Sequence, residues 1–434
     1  MKSIEFKKQF KPHEEYKNTN IDWIGNIPSV WSVNKIKEHF YFEKGKHSAI
    51  FTQEYINSPE NIGDYPVYSG QTGDQGVMGM INRFIYNFST PVVFTTTVGA
   101  KVMTPMLLKG KFSLSQNCLL MVPKDKSVDA NYYYYQLFSL FKRVRDDIPN
   151  HMQPSLRISD LNKFVVVTPP YESQQKIADY LDDKTMVIDK SIEQKQKLIE
   201  LLKEKRAAVI NKAVTRGLDE NLELVNSGVE WIGDIPKVWK IEKLKFVAGI
   251  NRNTLSETTE SDYNLKYIDI GNVDINGVKD EPEELNFASA PSRARRIVQK
   301  ENIIVGTVRT YLKALAYFDN PESNLIVSTG FAVLEPTKSM VGKFIYYFVC
   351  SEKFIQKVSK WSTGVSYPAI NPTTLGFLPV CIPPIDEQQK IIKYLDAQIS
   401  GIEIAEEKIK KSIELLQEYK SSLVYNVVTG KVQV

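Results

Sequence analysis

The chain of 434 residues is written twice. Residues 22–31 read DWIGNIPSVW, and residues 230–239 read EWIGDIPKVW, an offset of 208. Further on, PPYESQQKIADYLD at 169–182 returns as PPIDEQQKIIKYLD at 383–396, an offset of 214. Each copy closes on a short run, AVTRG at 213–217 and VVTGK at 427–431. An internal repeat constrains the fold more than local propensity does, because two copies of one pattern must build two related structures. A unit of about 200 residues is too long for a solenoid repeat, so a whole module has been duplicated.

Within each copy the order is the same. Gly25-x-Ile27-Pro28 and Gly233-x-Ile235-Pro236 make turns in an opening rich in tryptophan. Short β-type runs follow, Pro91–Val98 and Asn302–Val308, and then aromatic helical stretches, Asn131–Arg145 and Val341–Val358. A Pro-Pro pair ends this part. Residues 173–216 then contain no Pro or Gly, and 386–429 contain only Gly401, so each stretch can form a helix of about 65 Å. Asp386 with Gln389 resembles a capping box, and Gly217 and Gly430 are natural stops.

Both long stretches carry heptads. One seam runs Leu181, Thr185, Ile188, Ile192, Lys195, Ile199, Leu202, Arg206, Val209, Ala213, and the other runs Leu395, Ile399, Ile402, Glu406, Ile409, Ile413, Leu416, Lys420, Leu423, Val427. Lys195 and Glu406 are single charges near the seam centres, and a buried charge is costly unless paired. Facing each other in an antiparallel pair, they set facing numbers that sum to 601 and place Ile192 opposite Ile409 and Ile199 opposite Ile402. Pairing of each helix with another chain is the alternative. The expected class is α+β, with two pseudo-symmetric mixed α/β globular domains separated by two long antiparallel coiled-coil helices. The expected segments are 1–170, 171–217, 218–384 and 385–434, in the order domain, helix, domain, helix.

Composition excludes several classes. No apolar run is long enough for a spanning helix, and the N-terminus lacks an apolar signal core, so the expected location is the cytoplasm, with no membrane partner. Cys118, Cys350 and Cys381 lie far apart, which speaks against a disulfide framework or a cysteine zinc site. There is no G-x-x-x-x-G-K-[ST], H-E-x-x-H or G-x-S-x-G motif. Thr168-Pro-Pro-Tyr171 looks like the N/D-P-P-Y/F loop of amino-methyltransferases. Threonine, however, lacks the side-chain carbonyl that accepts a target amino group, and copy two has Ile382-Pro-Pro-Ile385 at the same place. A self-contained adenine DNA methyltransferase is therefore the weaker alternative, alongside a coiled-coil adaptor without sequence-specific DNA binding.

Binding chemistry is better represented, although the net charge of +4 permits nucleic acid without demanding it. Arg293, Arg295 and Arg296 form a basic cluster, followed by Arg309. Arginine forks match guanine edges and phosphates. In copy one, Thr97, Gly99 and Lys101 offer a hydroxyl, close backbone approach and charge to DNA oxygens. The loops before the long helices match in place and in proline but not in polar side chains: Gln153, Ser155 and Arg157 in one copy, Ser366 and Tyr367 in the other. A shared scaffold with divergent loops is what two modules reading different sequences would show.

The doubled W-I-G-x-I-P opening and the doubled P-P…Q-Q-K-I-x-x-Y-L-D helix start resemble the specificity subunit of Type I restriction-modification systems, from about residue 20 to the end. The resemblance implies that each module is a target recognition domain for one half of a bipartite site in double-stranded DNA, with the helices as spacer. It also implies that two modification methyltransferase subunits dock on the chain and carry S-adenosylmethionine, with no cofactor or catalytic residue on this chain. Restriction translocase–nuclease subunits would join them.

Overall fold

Alternation along a few strands builds the first core. In the strand Tyr86–Thr96, Val93 faces one side and Val92 and Phe94 the other; in Cys118–Pro123, Leu119 and Met121 join Val93, and Cys118 and Leu120 join Phe94. Successive side chains point to opposite faces of a strand, so a sheet with such strands at its centre is buried on both sides. The structure is a computed structural model describing residues 12–70, 76–99, 102–149 and 151–434. Its two compact units are Met1–Lys195 with Lys411–Val434, and Gln196–Lys410. These cut across the four consecutive segments read from sequence, because each long helix contributes to both units.

The first unit has a six-stranded sheet in the order Phe40–Lys44, Cys118–Pro123, Tyr86–Thr96, Met106–Leu114, Ile62–Tyr68, Val77–Ile81. Ile62–Tyr68 and Met106–Leu114 run parallel, and the other named strand pairs of the sheet are antiparallel. Helix α1 (Ala130–Asp146) covers one face with Tyr132, Tyr133, Leu137 and Phe141. Asp129 caps α1 by accepting from Tyr132 N. Strand Ser32–Lys35 pairs with Val165–Thr168, which leads into helix α2 (Tyr171–Arg216).

The second unit has two four-stranded sheets: Ala248–Ile250, Phe331–Pro336, Asn302–Gly306, Leu315–Phe318; and Glu283–Asn286, Asn264–Ile268, Leu325–Ser328, Ala294–Ile297. The aromatic stretch expected as one helix is here two, α3 (Gly342–Val349) and α4 (Glu352–Trp361). Ser351 makes the break: its hydroxyl donates to Phe348 O and accepts from Phe354 N, capping α4. Helix α5 (Ile385–Val428) follows the second Pro-Pro pair.

The repeated motifs have matching structural duties. Each tryptophan-rich opening folds as a small two-stranded ladder with a left-handed glycine, Gly25 (φ +65°) or Gly233 (φ +78°). In the first unit the end of α5 lies in the same core as Ile24, Ile27 and Trp31, through Val424, Val427 and Val428. Lys431 Nζ donates to Ile24 O at 2.7 Å, and Tyr425 to Trp23 O at 2.9 Å. In the second unit the end of α2, with Ile210, Ala213 and Val214, is buried with Ile232, Ile235 and Trp239. Each opening is thus the receptacle for the helix end of the other copy.

The first glutamine of each Q-Q-K-I is a buried clamp. Gln174 accepts from Asp129 N and donates to Ser127 O and Pro169 O; Gln388 accepts from Val341 N and donates to Ser339 O and Pro383 O. The capping box expected at Asp386 and Gln389 is replaced by this device. Helix α5 already begins at Ile385, which puts Asp386 inside the first turn, where its charge favours the helix dipole.

The heptad seams face each other in a different register from the expected one. In the first unit Lys420 Nζ lies 2.6 Å from Asp189 Oδ2, and in the second Arg206 Nη2 lies 3.8 Å from Glu403 Oε1. Both pairs sum to 609, which levels Ile188 with Lys420 and Arg206 with Ile402. The seam sum is therefore 608, one heptad from 601. Lys195 is then level with Ile413 and Ile192 with Leu416 in the first unit, while Glu406 is level with Leu202 and Ile199 with Ile409 in the second. The physical reason is that a slide of one heptad keeps every seam position facing a seam position. The ion pairs and the captured helix ends select between such registers. Among the described residues no helix is long and apolar enough to cross a membrane.

Candidate nucleic-acid interface

In the first unit the strand Tyr86–Thr96 runs out into Thr97, Val98 and Gly99, and the loop after Pro154 returns to meet it. Val98 bridges Ser155, and Leu156 N donates to Thr97 O at 2.8 Å. Thr97 is held further by its backbone N–H and its hydroxyl, both donating to Asn117 O. Thr95 and Thr96 are buried, which leaves Thr97 alone of the three hydroxyls at the surface. Gly99 is left-handed (φ +94°) with open space where a Cβ would stand. Gln153, Ser155 and Arg157 are exposed on the returning loop, and Arg157 N is held by the Asp160 carboxylate at 3.0 Å. Lys101 lies outside the described residues.

The second unit repeats the device. Strand Asn302–Gly306 runs out into Thr307, Val308 and Arg309; Val308 bridges Ala369, and Ile370 N donates to Thr307 O at 2.8 Å. Arg309 occupies the place of Gly99, and like it is left-handed (φ +50°). Its guanidinium lies 4.8 Å from the centre of the Tyr367 ring, a cation–π stack. Ser366 is exposed beside Tyr367. Thr363 and Ala369 exchange two backbone hydrogen bonds of 2.9 Å, which close residues 363–369 into a short finger.

The arginine cluster has internal duties. Arg293 donates to Asp269 Oδ2 at 2.7 Å and to the Tyr267 hydroxyl at 3.3 Å. Arg295 lies over the Phe287 ring at 4.6 Å. Arg296 donates to the Thr254 hydroxyl, and burial pushes its guanidinium down from the ordinary arginine range. The turn at Thr329 and Gly330 joins this strand to the tip, since Thr329 N donates to Arg293 O and Thr307 N to Gly330 O, both at 2.8 Å.

The structure thus brings Thr97, Gly99 and Ser155 together in one tip, with Gln153 and Arg157 flanking, and Arg309, Ser366 and Tyr367 together in the other. Reading by residue type missed the exposed apolar side chains there: Val98, Met152, Val308, Tyr311 and Val365. Apolar groups contact thymine methyls, so such side chains suit a base edge. Aligning the two copies on the strand tips would have revealed two of them, Val98 and Val308, which hold the same place.

A family model described as the Type I restriction modification DNA specificity domain matches residues 28–203 and again 236–415. The Type I restriction enzyme MjaVIII specificity subunit of Methanocaldococcus jannaschii is 25% identical, over 94% of this chain and 94% of that protein. The Type I restriction enzyme EcoDI specificity subunit of Escherichia coli is 20% identical, over 94% and 90%. A chain from a solved structure of a type I restriction-modification system, described as concerning complex assembly and conformational transition, aligns with a TM-score of 0.66. That alignment covers 93% of this chain and 98% of the other at 12% identity, so it speaks for the fold.

Proposed function

Because the chain belongs to the family of Type I restriction-modification DNA specificity domains and carries two of them, we propose that each unit reads one half of a bipartite DNA site through its strand-and-finger tip. The observation that carries this reading is the tip itself. One backbone scaffold, fixed by the same bridge and the same hydrogen bond, presents Gly99, Gln153 and Arg157 in one unit and Arg309, Tyr367 and Asn371 at the matching places in the other. Base contacts specify and phosphate contacts position, so an unchanged scaffold with different end groups yields two different half-sites.

On this reading the chain performs no chemistry. Two modification methyltransferase subunits dock on it and bring S-adenosylmethionine, restriction translocase–nuclease subunits join them, and the complex works in the cytoplasm. Apolar side chains outside the helix seams support docking: Met186 and Val187 in the first unit, and Leu198, Leu201 and Ile404 in the second, are all exposed. The test is to sequence methylated positions in cells that carry this chain with its methyltransferase partner. One bipartite motif with an unread spacer is expected. Methylation without a motif, or one continuous short motif, would refute the reading.

A further inference from the structure

We infer that Arg309 reads a guanine in the half-site bound by the second unit, with Tyr367 holding the guanidinium in plane. The inference rests on the proposed reading of the units as DNA-binding modules and adds the base that one of them selects.

The bridges Val98 to Ser155 and Val308 to Ala369, and the hydrogen bonds from Leu156 N and Ile370 N, make Gly99 and Arg309 equivalent. Both are left-handed, at φ +94° and +50°. The turn therefore requires a conformation that glycine adopts freely and an L side chain adopts at a cost. Arginine at this place weakens the turn relative to glycine, and among the described residues it forms no ion pair that would compensate. Strained residues of this kind cluster where a side chain serves a ligand.

Arg309 is exposed, yet its position is fixed by stacking on Tyr367, itself 64% exposed. Tyr367 stands on the finger closed by Thr363 and Ala369, and the Thr310 hydroxyl meets the Ser362 hydroxyl at 2.9 Å, tying finger and strand tip together. A stacked guanidinium keeps its edge N–H groups free and coplanar, the geometry that fits the N7 and O6 acceptors of guanine. The surroundings favour a base edge over a phosphate, because Val308 next to Arg309, Tyr311 two residues on and Val365 two residues before Tyr367 are exposed apolar groups. In the first unit glycine and Gln153 stand at the places of Arg309 and Tyr367, so this guanine contact is confined to one half-site.

The test uses the full chain assembled with its methyltransferase subunits and a library of random duplexes. Arg309→Gly relieves the backbone, so it separates recognition from folding; Arg309→Lys keeps the charge and loses the fork. Both variants are expected to lose about 5- to 150-fold of the discrimination for guanine at one position of one half-site, with the other half unchanged. Selected sequences that stay the same would overturn the inference. So would a uniform loss of affinity for all sequences with a salt dependence weaker by about one phosphate, which marks a backbone contact. A wild-type complex that selects no sequence at all would overturn the proposed function, and this inference with it.

Discussion

Gln388 offers the sharpest test of how the repeat motif works. Its side chain is fully buried and holds three backbone groups: it accepts from Val341 N at 2.8 Å and donates to Pro383 O at 2.9 Å and Ser339 O at 3.2 Å. Gln388→Leu keeps the volume and strips all three bonds. An unsatisfied buried backbone group costs about 1–3 kcal/mol, and a carbonyl tolerates the loss better than an N–H. Leucine returns about 1–2 kcal/mol through its apolar burial. The net loss is about 2–5 kcal/mol, a fall of roughly 5–15 °C in the melting transition of a unit of this size. Gln389→Leu, one residue on and exposed, is the control, with an expected change within about 0.5 kcal/mol. Differential scanning calorimetry of both variants reads the difference. Equal melting for Gln388→Leu and wild type, or an equal loss in both variants, would refute the clamp.

Two further outcomes follow from packing and protonation. Gly430 is left-handed at φ +67°, and a Cβ there would collide with the Pro28 ring and stand 2.7 Å from Trp31. At Gly217 (φ +73°) the nearest atom is the Glu387 carboxylate at 2.8 Å, the end of a side chain that can shift at the cost of its bond from Trp239 Nε1. Gly430→Ala should therefore cost more than Gly217→Ala, about 2–5 against about 1–2 kcal/mol in chemical denaturation, and the reverse order would count against the receptacle. His39 is half-buried, with Nε2 3.0 Å from the Thr168 hydroxyl and its ring 5.1 Å from that of Tyr133. Burial holds its pKa below the ordinary 6.5, against the opposing pull of Glu38 and Asp125 and with a smaller push from Lys124. The unfolded chain then binds the extra proton first. Stability from the neutral form is present above pH 6.5 and is lost as the pH falls through the depressed folded value. Melting of the His39→Gln variant should fall less between pH 7 and pH 5 than that of wild type; equal slopes would refute the assignment.

Much of this architecture was legible because it is written twice. The W-I-G-x-I-P openings, the Pro-Pro entries and the heptads are strong local patterns, and each recurs in the structure with the same partners in both copies. Register was not legible. Lys195 and Glu406 look like partners in a one-dimensional pattern, yet a seam of period seven fits equally well one heptad away. The seam carries Lys420 and Arg206, but their partners Asp189 and Glu403 and the receptacles for the helix ends lie off it, so the seam pattern alone does not announce the register. The arginine cluster shows the same limit. Charge in sequence says nothing of Asp269, Tyr267, Phe287 and Thr254, which those side chains meet in the fold. The tips were partly legible, since proline and loop position marked the fingers. The pairing of Val98 with Ser155 and of Val308 with Ala369, which assembles each tip, joins segments more than fifty residues apart.

The central claim is that two modules read two half-sites independently. The most direct measurement replaces residues 222–382 with the corresponding module of a relative of known specificity and maps the methylated motif of the assembled complex. One half-site should change to that of the donor while the other half stays as it was. A change in both halves, or in neither, would contradict the claim.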